Sequence, residues 1–297
     1  MTPHRTLTPA VAIVLSGLFI AACDNSISNV NGGPGDAITA DLGATARDEI
    51  EASLSALTLS SSLDPIGTAQ IAPAGGGSAS PGCVTPSTPL ESDGDGIPDD
   101  ATYIFTAPPC RFTGWRGGTL DIVGTLRIQD PDPIHAGFGY DATITGLRTR
   151  FTGADGKNIF DVTRNGTRTL SGSVTSLTLA TDLQLIRTFV GKPDAAVDQQ
   201  WNITYTPATS LQINAAVPSG TLDISGTADW ARGNEHFVLT VTTPTALHYN
   251  ADCSGTVQRI DGGEMQLAGK FGDMDGFVRV RWSECGKEPS YSFEPTS

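Results

Sequence analysis

From Thr102 onward, apolar residues recur at every second position. Leu120, Ile122, Leu126 and Ile128 alternate with Thr119, Asp121, Val123, Thr125 and Arg127. Leu177, Leu179, Leu183 and Leu185 follow the same rhythm, as do Val278, Val280 and Trp282 against Arg279 and Arg281. A period of two gives each strand one dry and one wet face, a pattern typical of antiparallel sheets. Asn165-Gly166 and Asp261-Gly262-Gly263 read as hairpin turns between strands. Trp201, Trp230 and Trp282 fall on the inferred apolar faces and are expected in the core, whereas Trp115 belongs to no clear face.

Ahead of this region the period lengthens. Ile38, Leu42, Ala46, Ile50, Leu54 and Leu57 are three or four residues apart, which draws one apolar stripe along a helix over 37–59. Pro34-Gly35-Asp36 supplies its start, with Asp36 as N-cap. Asp41, Arg47, Asp48 and Glu51 lie mainly off the stripe. A helix lying on a membrane would carry Lys and Arg there, so this acidic one is expected to pack on the chain's own sheet. Residues 60–101, rich in Ser, Pro and Gly at first and acidic later, read as a long loop.

The segment Gly118-Thr119-Leu120-Asp121-Ile122-Val123-Gly124-Thr125 returns 102 residues later as Gly220-Thr221-Leu222-Asp223-Ile224-Ser225-Gly226-Thr227. Gly166, Leu170 and Gly172 match Gly263, Leu267 and Gly269 at an offset of 97. The expectation is an all-β, antiparallel domain over 102–297 with one N-terminal amphipathic helix. Two duplicated half-sheets, 102–191 and 200–297, would form a sandwich or a strongly bent open barrel. A glycine within such a strand permits a bend or close approach of another backbone.

The N-terminus carries an address. His4 and Arg5 precede the ten-residue apolar run Val11 to Ile20. A bilayer-spanning helix needs about 20 residues, while a signal-peptide core needs ~7–15. The run ends in Ile20-Ala21-Ala22-Cys23, which resembles the lipobox of bacterial lipoproteins. The resemblance covers the signal only. It implies a signal peptide over 1–22, removed before Cys23, and a diacylglycerol on the Cys23 thiol. Further acylation, such as palmitate, would make attachment durable, since one chain gives marginal binding. It also implies a place in the bacterial cell envelope, outside the cytoplasm. Asp24 favours the inner membrane in some bacteria, but that rule varies, and the choice of membrane stays open. Residues 23–36 then form a polar tether.

The chain's net charge is −14, and loss of Arg5 with the signal leaves −15. Such a surface repels nucleic acid, which is discarded as a partner. With Cys23 committed to lipid, Cys83, Cys110, Cys253 and Cys285 remain. An even number in an exported chain suggests two disulfides, with three pairings open. The local pairs Cys83–Cys110 and Cys253–Cys285 are favoured; each closes a loop of about 30 residues, worth roughly 3–4 kcal/mol. A four-cysteine zinc site is the alternative, and no C-x-x-C pair supports it.

One acidic stretch carries metal chemistry: Glu91-Ser92-Asp93-Gly94-Asp95-Gly96-Ile97-Pro98-Asp99-Asp100. Ca²⁺ takes six to eight oxygen ligands, which a tight loop supplies from alternate residues. Glu91, Asp93 and Asp95 would fill the first, third and fifth places, the Ile97 carbonyl the seventh and Asp99 the ninth. Gly96 permits the turn at the sixth. The run Asp-Gly-Asp-Gly-Ile-Pro-Asp resembles the calcium loops of thrombospondin type 3 repeats and related bacterial surface proteins, over about ten residues. It departs from them in having Thr102 at the twelfth place and a single copy, which implies weak binding.

The sequence contains no H-E-x-x-H, G-x-S-x-G or P-loop pattern. Three readings of function remain: a non-catalytic binding or structural module, a carrier of an apolar ligand in a β-sheet cavity, and an extracytoplasmic hydrolase. The sheet's interior discriminates among them. A filled core fits the module, an open apolar cavity under the helix fits the carrier, and converging carboxylates or an oriented histidine fit the enzyme. The partners expected are the membrane through the lipid and, for the module or carrier, a protein or apolar ligand.

The address has a direct test. Metabolic labelling with a palmitate analogue should mark the wild type and spare Cys23→Ala; a labelled variant would refute the lipid anchor.

Overall fold

The structure, a computed structural model, describes residues 34–57, 84–86, 91–113, 119–153, 156, 158–213, 215–253 and 259–296. The expected signal peptide, Cys23 and most of the expected tether lie outside them, as do Cys83 and Trp115. One helix, α1 (Asp36–Ala56), precedes twelve strands. These are β1 (Val84–Pro86), β2 (Asp100–Thr113), β3 (Thr119–Gln129), β4 (Tyr140–Thr152), β5 (Asn158–Ser173) and β6 (Ser176–Arg187). They continue as β7 (Ala195–Pro207), β8 (Gly220–Arg232), β9 (Glu235–Tyr249), β10 (Ile260–Phe271), β11 (Met274–Trp282) and β12 (Ser290–Pro295).

Each strand pairs antiparallel with the next, so the sheet is one continuous meander in chain order, not closed into a barrel. The segment expected as loop over 60–101 contributes β1, and β2 begins at Asp100. The helix starts at Asp36, one position before the expected first residue, because the Gly35 carbonyl already accepts from the Ile38 and Thr39 N–H groups.

Period-two patterning sets the faces. In β7, Val197, Gln199, Trp201, Ile203 and Tyr205 are buried, while Asp198, Gln200 and Asn202 are exposed. Trp230 and Trp282 are buried as well. The outer face is polar, the reverse of a membrane barrel's lipid-facing surface. Among the described residues, no helix is long and apolar enough to cross a membrane.

Asn165-Gly166 is not a turn. Both residues sit inside β5, where Gly166 has a φ of 130° and faces the β6 backbone. A Cβ there would lie 2.1 Å from the Asp182 carbonyl oxygen. The Asn165 side chain accepts from the Gly146 N–H in the neighbouring strand. Asp261-Gly262-Gly263 likewise lies within β10, at an irregularity of its pairing with β9. The tight connections are Val174-Thr175, Gly233-Asn234 and Gly272-Asp273. Glycine in these strands thus serves close approach. In the repeated segment, Gly124 and Gly226 share this role, with φ values of 124° and 148°.

The sheet curls around α1. Eight flat strands would span more than about 30 Å at roughly 4.8 Å each. Yet side chains of β5, β6, β8 and β12 all reach this one helix. Leu42, Ala46, Ile50 and Leu54 bury the predicted stripe in the core; each large aliphatic contributes about 1.5–3 kcal/mol. The ring of Tyr291 lies against Gly43, where a side chain would collide with it.

The off-stripe residues are buried or half-buried, and paired. Asp41 takes Arg232 and, at 2.8 Å, Lys192. Asp48 takes Arg187 and Arg47, and Arg47 also reaches Glu288. Glu49, 1% exposed, is held by Arg164, whose Nε donates at 3.1 Å. Glu51 accepts from the Arg259 backbone N–H at 3.1 Å. Inward arginines on four different segments therefore grip one acidic helix.

Cys253 and Cys285 form a disulfide with Cα atoms 5.7 Å apart. Cys110 is fully buried, and its expected partner Cys83 lies outside the described residues.

Burial pushes the Glu51 carboxyl up to about 7, against the pull of Arg259. The folded chain therefore keeps a proton there that the unfolded chain releases. The stability this proton contributes is full below about pH 4.5 and is lost as pH rises through about 7. Glu51→Gln should remove a loss of about 3 kcal/mol between those limits. Urea unfolding at pH 5 and pH 8 checks this; equal pH sensitivity in wild type and variant would refute it.

Candidate metal site

The acidic loop precedes β2, and Asp100 pairs with Gln129 at the end of β3. Gly94 and Gly96 take φ values of 86° and 85°, which supply the turns that bring alternate side chains inward. Ile97 is 5% exposed and inserts into the main core, so the loop is fastened at its seventh position. The carboxylates also organise the loop. A Glu91 oxygen accepts from the Gly94 and Gly96 N–H groups at 2.6 and 3.3 Å. Asp95 accepts from Ile97 N–H at 2.7 Å and from Gly137 N–H, in the β3–β4 connection, at 3.0 Å.

Glu91, Asp93 and Asp95 each offer an oxygen within 4.8 Å of the others. Two ligands of one Ca²⁺ at 2.3–2.6 Å stand at most about 5 Å apart, so the spacing fits that ion. One Asp93 oxygen accepts from Asp95 N–H, while its Oδ2 is buried without a hydrogen-bond partner. A buried carboxylate oxygen in that condition carries a desolvation cost that a cation would offset.

Asp99, the expected ninth ligand, is not part of that carboxylate cluster. Asp99 accepts from the Ser92 N–H at 3.0 Å and its hydroxyl at 2.7 Å, which ties the loop's two ends. Ile97 is placed by its side chain. Thr102, at the twelfth position, is already in β2 opposite Arg127.

Sequence spacing missed Asp130, which follows β3. Its N–H donates to the Pro98 and Asp99 carbonyls at 3.2 Å each, and its Oδ2 is also buried without a hydrogen-bond partner. Burial, then repulsion from Asp93, Asp132 and Asp99, raises its carboxyl above the ordinary range. Burial likewise raises Asp95, against the N–H groups of Gly137 and Ile97 and with repulsion from Asp93 and Asp130. The only sequence signal for this neighbour was the acidic Asp130-Pro131-Asp132 run, and strand register alone brings it to the loop.

Among the described residues the histidines are dispersed. His135 pairs with Asp132, His236 with Asp229 and His248 with Asp261, all three imidazoles exposed and on separate segments.

No protein-family model matches the chain, and no curated protein or solved structure matches it either.

Proposed function

We propose that the protein is a non-catalytic cell-envelope module, held to a membrane by lipid on Cys23, that presents a weak calcium loop at the end of its sheet remote from the tether. The observation that supports this reading is the filled interior. Helix α1 occupies the concave face with Leu42, Ala46, Ile50 and Leu54, and its acids engage the inward arginines. The space that an apolar ligand would need is taken by the chain itself. The exposed, scattered histidines give a hydrolase no support.

The topology supports the orientation. Strands alternate in direction, so the connections after β3, β5, β7, β9 and β11 share one end of the sheet. Asp41, early in α1, meets Lys192 and Arg232 at the opposite end, after β6 and β8. Glu51, late in α1, meets Arg259 at the first end, after β9. The helix crosses the domain over about 30 Å. Its N-terminus, where the tether joins, is thus remote from the loop at Glu91–Asp99. A cation there would sit among Glu91, Asp93 and Asp95, with Asp130 as a neighbouring negative charge.

With no acid at the twelfth place, affinity should fall in the range of extracellular calcium modules, about 10⁻⁴ to 10⁻³ M. Tenfold excess over Kd adds only about 1.4 kcal/mol, a rise of a few degrees in Tm. Chelator should reverse the rise, the double variant Asp93→Ala/Asp95→Ala should abolish it, and Asp130→Asn should reduce it. Superimposable melting curves with calcium and with chelator, and no heat of binding at millimolar calcium, would leave the loop an acidic turn.

A further inference from the structure

Arginine meets carboxylate in one recurrent way on this sheet. Arg111, Arg127 and Arg148 each turn the Nε–Nη2 edge of the guanidinium onto the two oxygens of an aspartate, at 2.5–2.8 Å. That edge matches a carboxylate in shape and charge. Two inward arginines, Arg187 and Arg232, meet a helix acid through Nη1 alone, and Arg168 departs furthest, with both atoms of that edge unmatched. It is 5% exposed, and neither its Nε nor its Nη2 has a hydrogen-bond partner. The nearest carboxylate oxygen, Oε2 of Glu49, stands 3.7 Å from Nη2, beyond hydrogen-bond reach. Glu49 is already engaged by the Nε and Nη2 of Arg164, so two buried guanidiniums share one carboxylate.

More donors lie alongside. Register places Arg168 opposite Thr181 and Thr181 opposite Trp201, in one row across β5, β6 and β7. Gln199, two residues from Trp201, shares its inward face. Trp201 Nε1 and Gln199 Nε2 are buried without hydrogen-bond partners, in residues 3% and 1% exposed. The Thr181 hydroxyl is directed to the Trp201 carbonyl. The unmatched groups in this row are all donors, and one carries a full charge. Leaving such groups unpaired in the core is costly, and an acceptor carrying negative charge answers all of them together. Small neighbours in register, Ala142 beside Arg168 and Ala228 beside Gln199, limit the bulk at the row's flanks.

We propose that Arg168, Gln199 and Trp201 form a buried site for the carboxylate group of a small acid, held two-pronged by the Arg168 Nε–Nη2 edge and completed by the amide and indole N–H groups. The site borders the helix through Arg168, whose nearest carboxylate is Glu49, so its occupant stabilises the helix's seat, and binding is read as stability. It is separate from the acidic loop and independent of the calcium reading.

The test is thermal unfolding of the mature protein at fixed ionic strength and pH, with chloride replaced stepwise by formate, acetate or octanoate. Formate and acetate should raise Tm in a saturating manner, and Arg168→Met should lose that response. Trp201→Phe, which removes the indole N–H together with one ring, should weaken the apparent affinity several-fold, as should Gln199→Leu, a substitution of similar size. Octanoate, whose chain the filled interior leaves no room for, should give no such response, and a response to it at lower concentration than to acetate would overturn the assignment to a small acid. If Arg168→Met does not fold, the Trp201→Phe and Gln199→Leu titrations decide. A wild type indifferent to carboxylates, or variants that respond as the wild type does, would overturn the proposal.

Discussion

The burial of charge between α1 and the sheet is the constraint on which the rest of the molecule depends. Asp41, Asp48 and Glu49 enter the interface beside the apolar stripe, and Arg164, Arg187 and Arg232 turn inward to meet them. Each ion removed from water loses several kcal/mol of solvation, and only close, hydrogen-bonded pairing recovers it. The penalty for a misplaced helix is therefore steep, because sliding it by one turn would strand several charges at once. An all-apolar contact would tolerate such a slip far better. The ion pairs thus specify position, while Leu42, Ile50 and Leu54 supply the main driving force.

That fixed position has consequences at both ends. A helix held along the sheet's concave face sets where the chain enters the domain and where it leaves. Asp36 opens the helix at one end, and the acidic loop, pinned by Ile97 and by the contacts of Asp130 and Gly137, sits at the other. The same packing makes the polar outer face and the remote rim the surfaces open to a partner. An unmatched donor edge such as Arg168's follows from the same arrangement, since Asp41, Asp48 and Glu49 are outnumbered by Arg164, Arg168, Arg187 and Arg232.

The strand pattern and the helix stripe were legible because period alone encodes them, and the core members Leu120, Ile122, Leu179 and Val280 follow directly. The charges were not. An acid off an apolar stripe ordinarily faces water, and nothing local to Glu49 or Asp48 indicates that Arg164 and Arg187 wait more than a hundred residues later. Asn165-Gly166 misled for a related reason: the dipeptide favours a tight turn, but here the missing Cβ lets two strands approach, a need that only the assembled sheet creates. In the acidic loop, Glu91, Asp93 and Asp95 were readable from spacing. Asp130 was hidden because register, not sequence distance, makes it a neighbour.

Hydrogen exchange on the intact mature chain tests the central claim most directly. If charge burial locks α1 into the sheet, the amides of Asp41 to Leu54 open only with the whole domain, at the same free energy as those of β6, β7 and β8. Exchange of the helix through a separate, lower-energy opening, with the strands still protected, would contradict it.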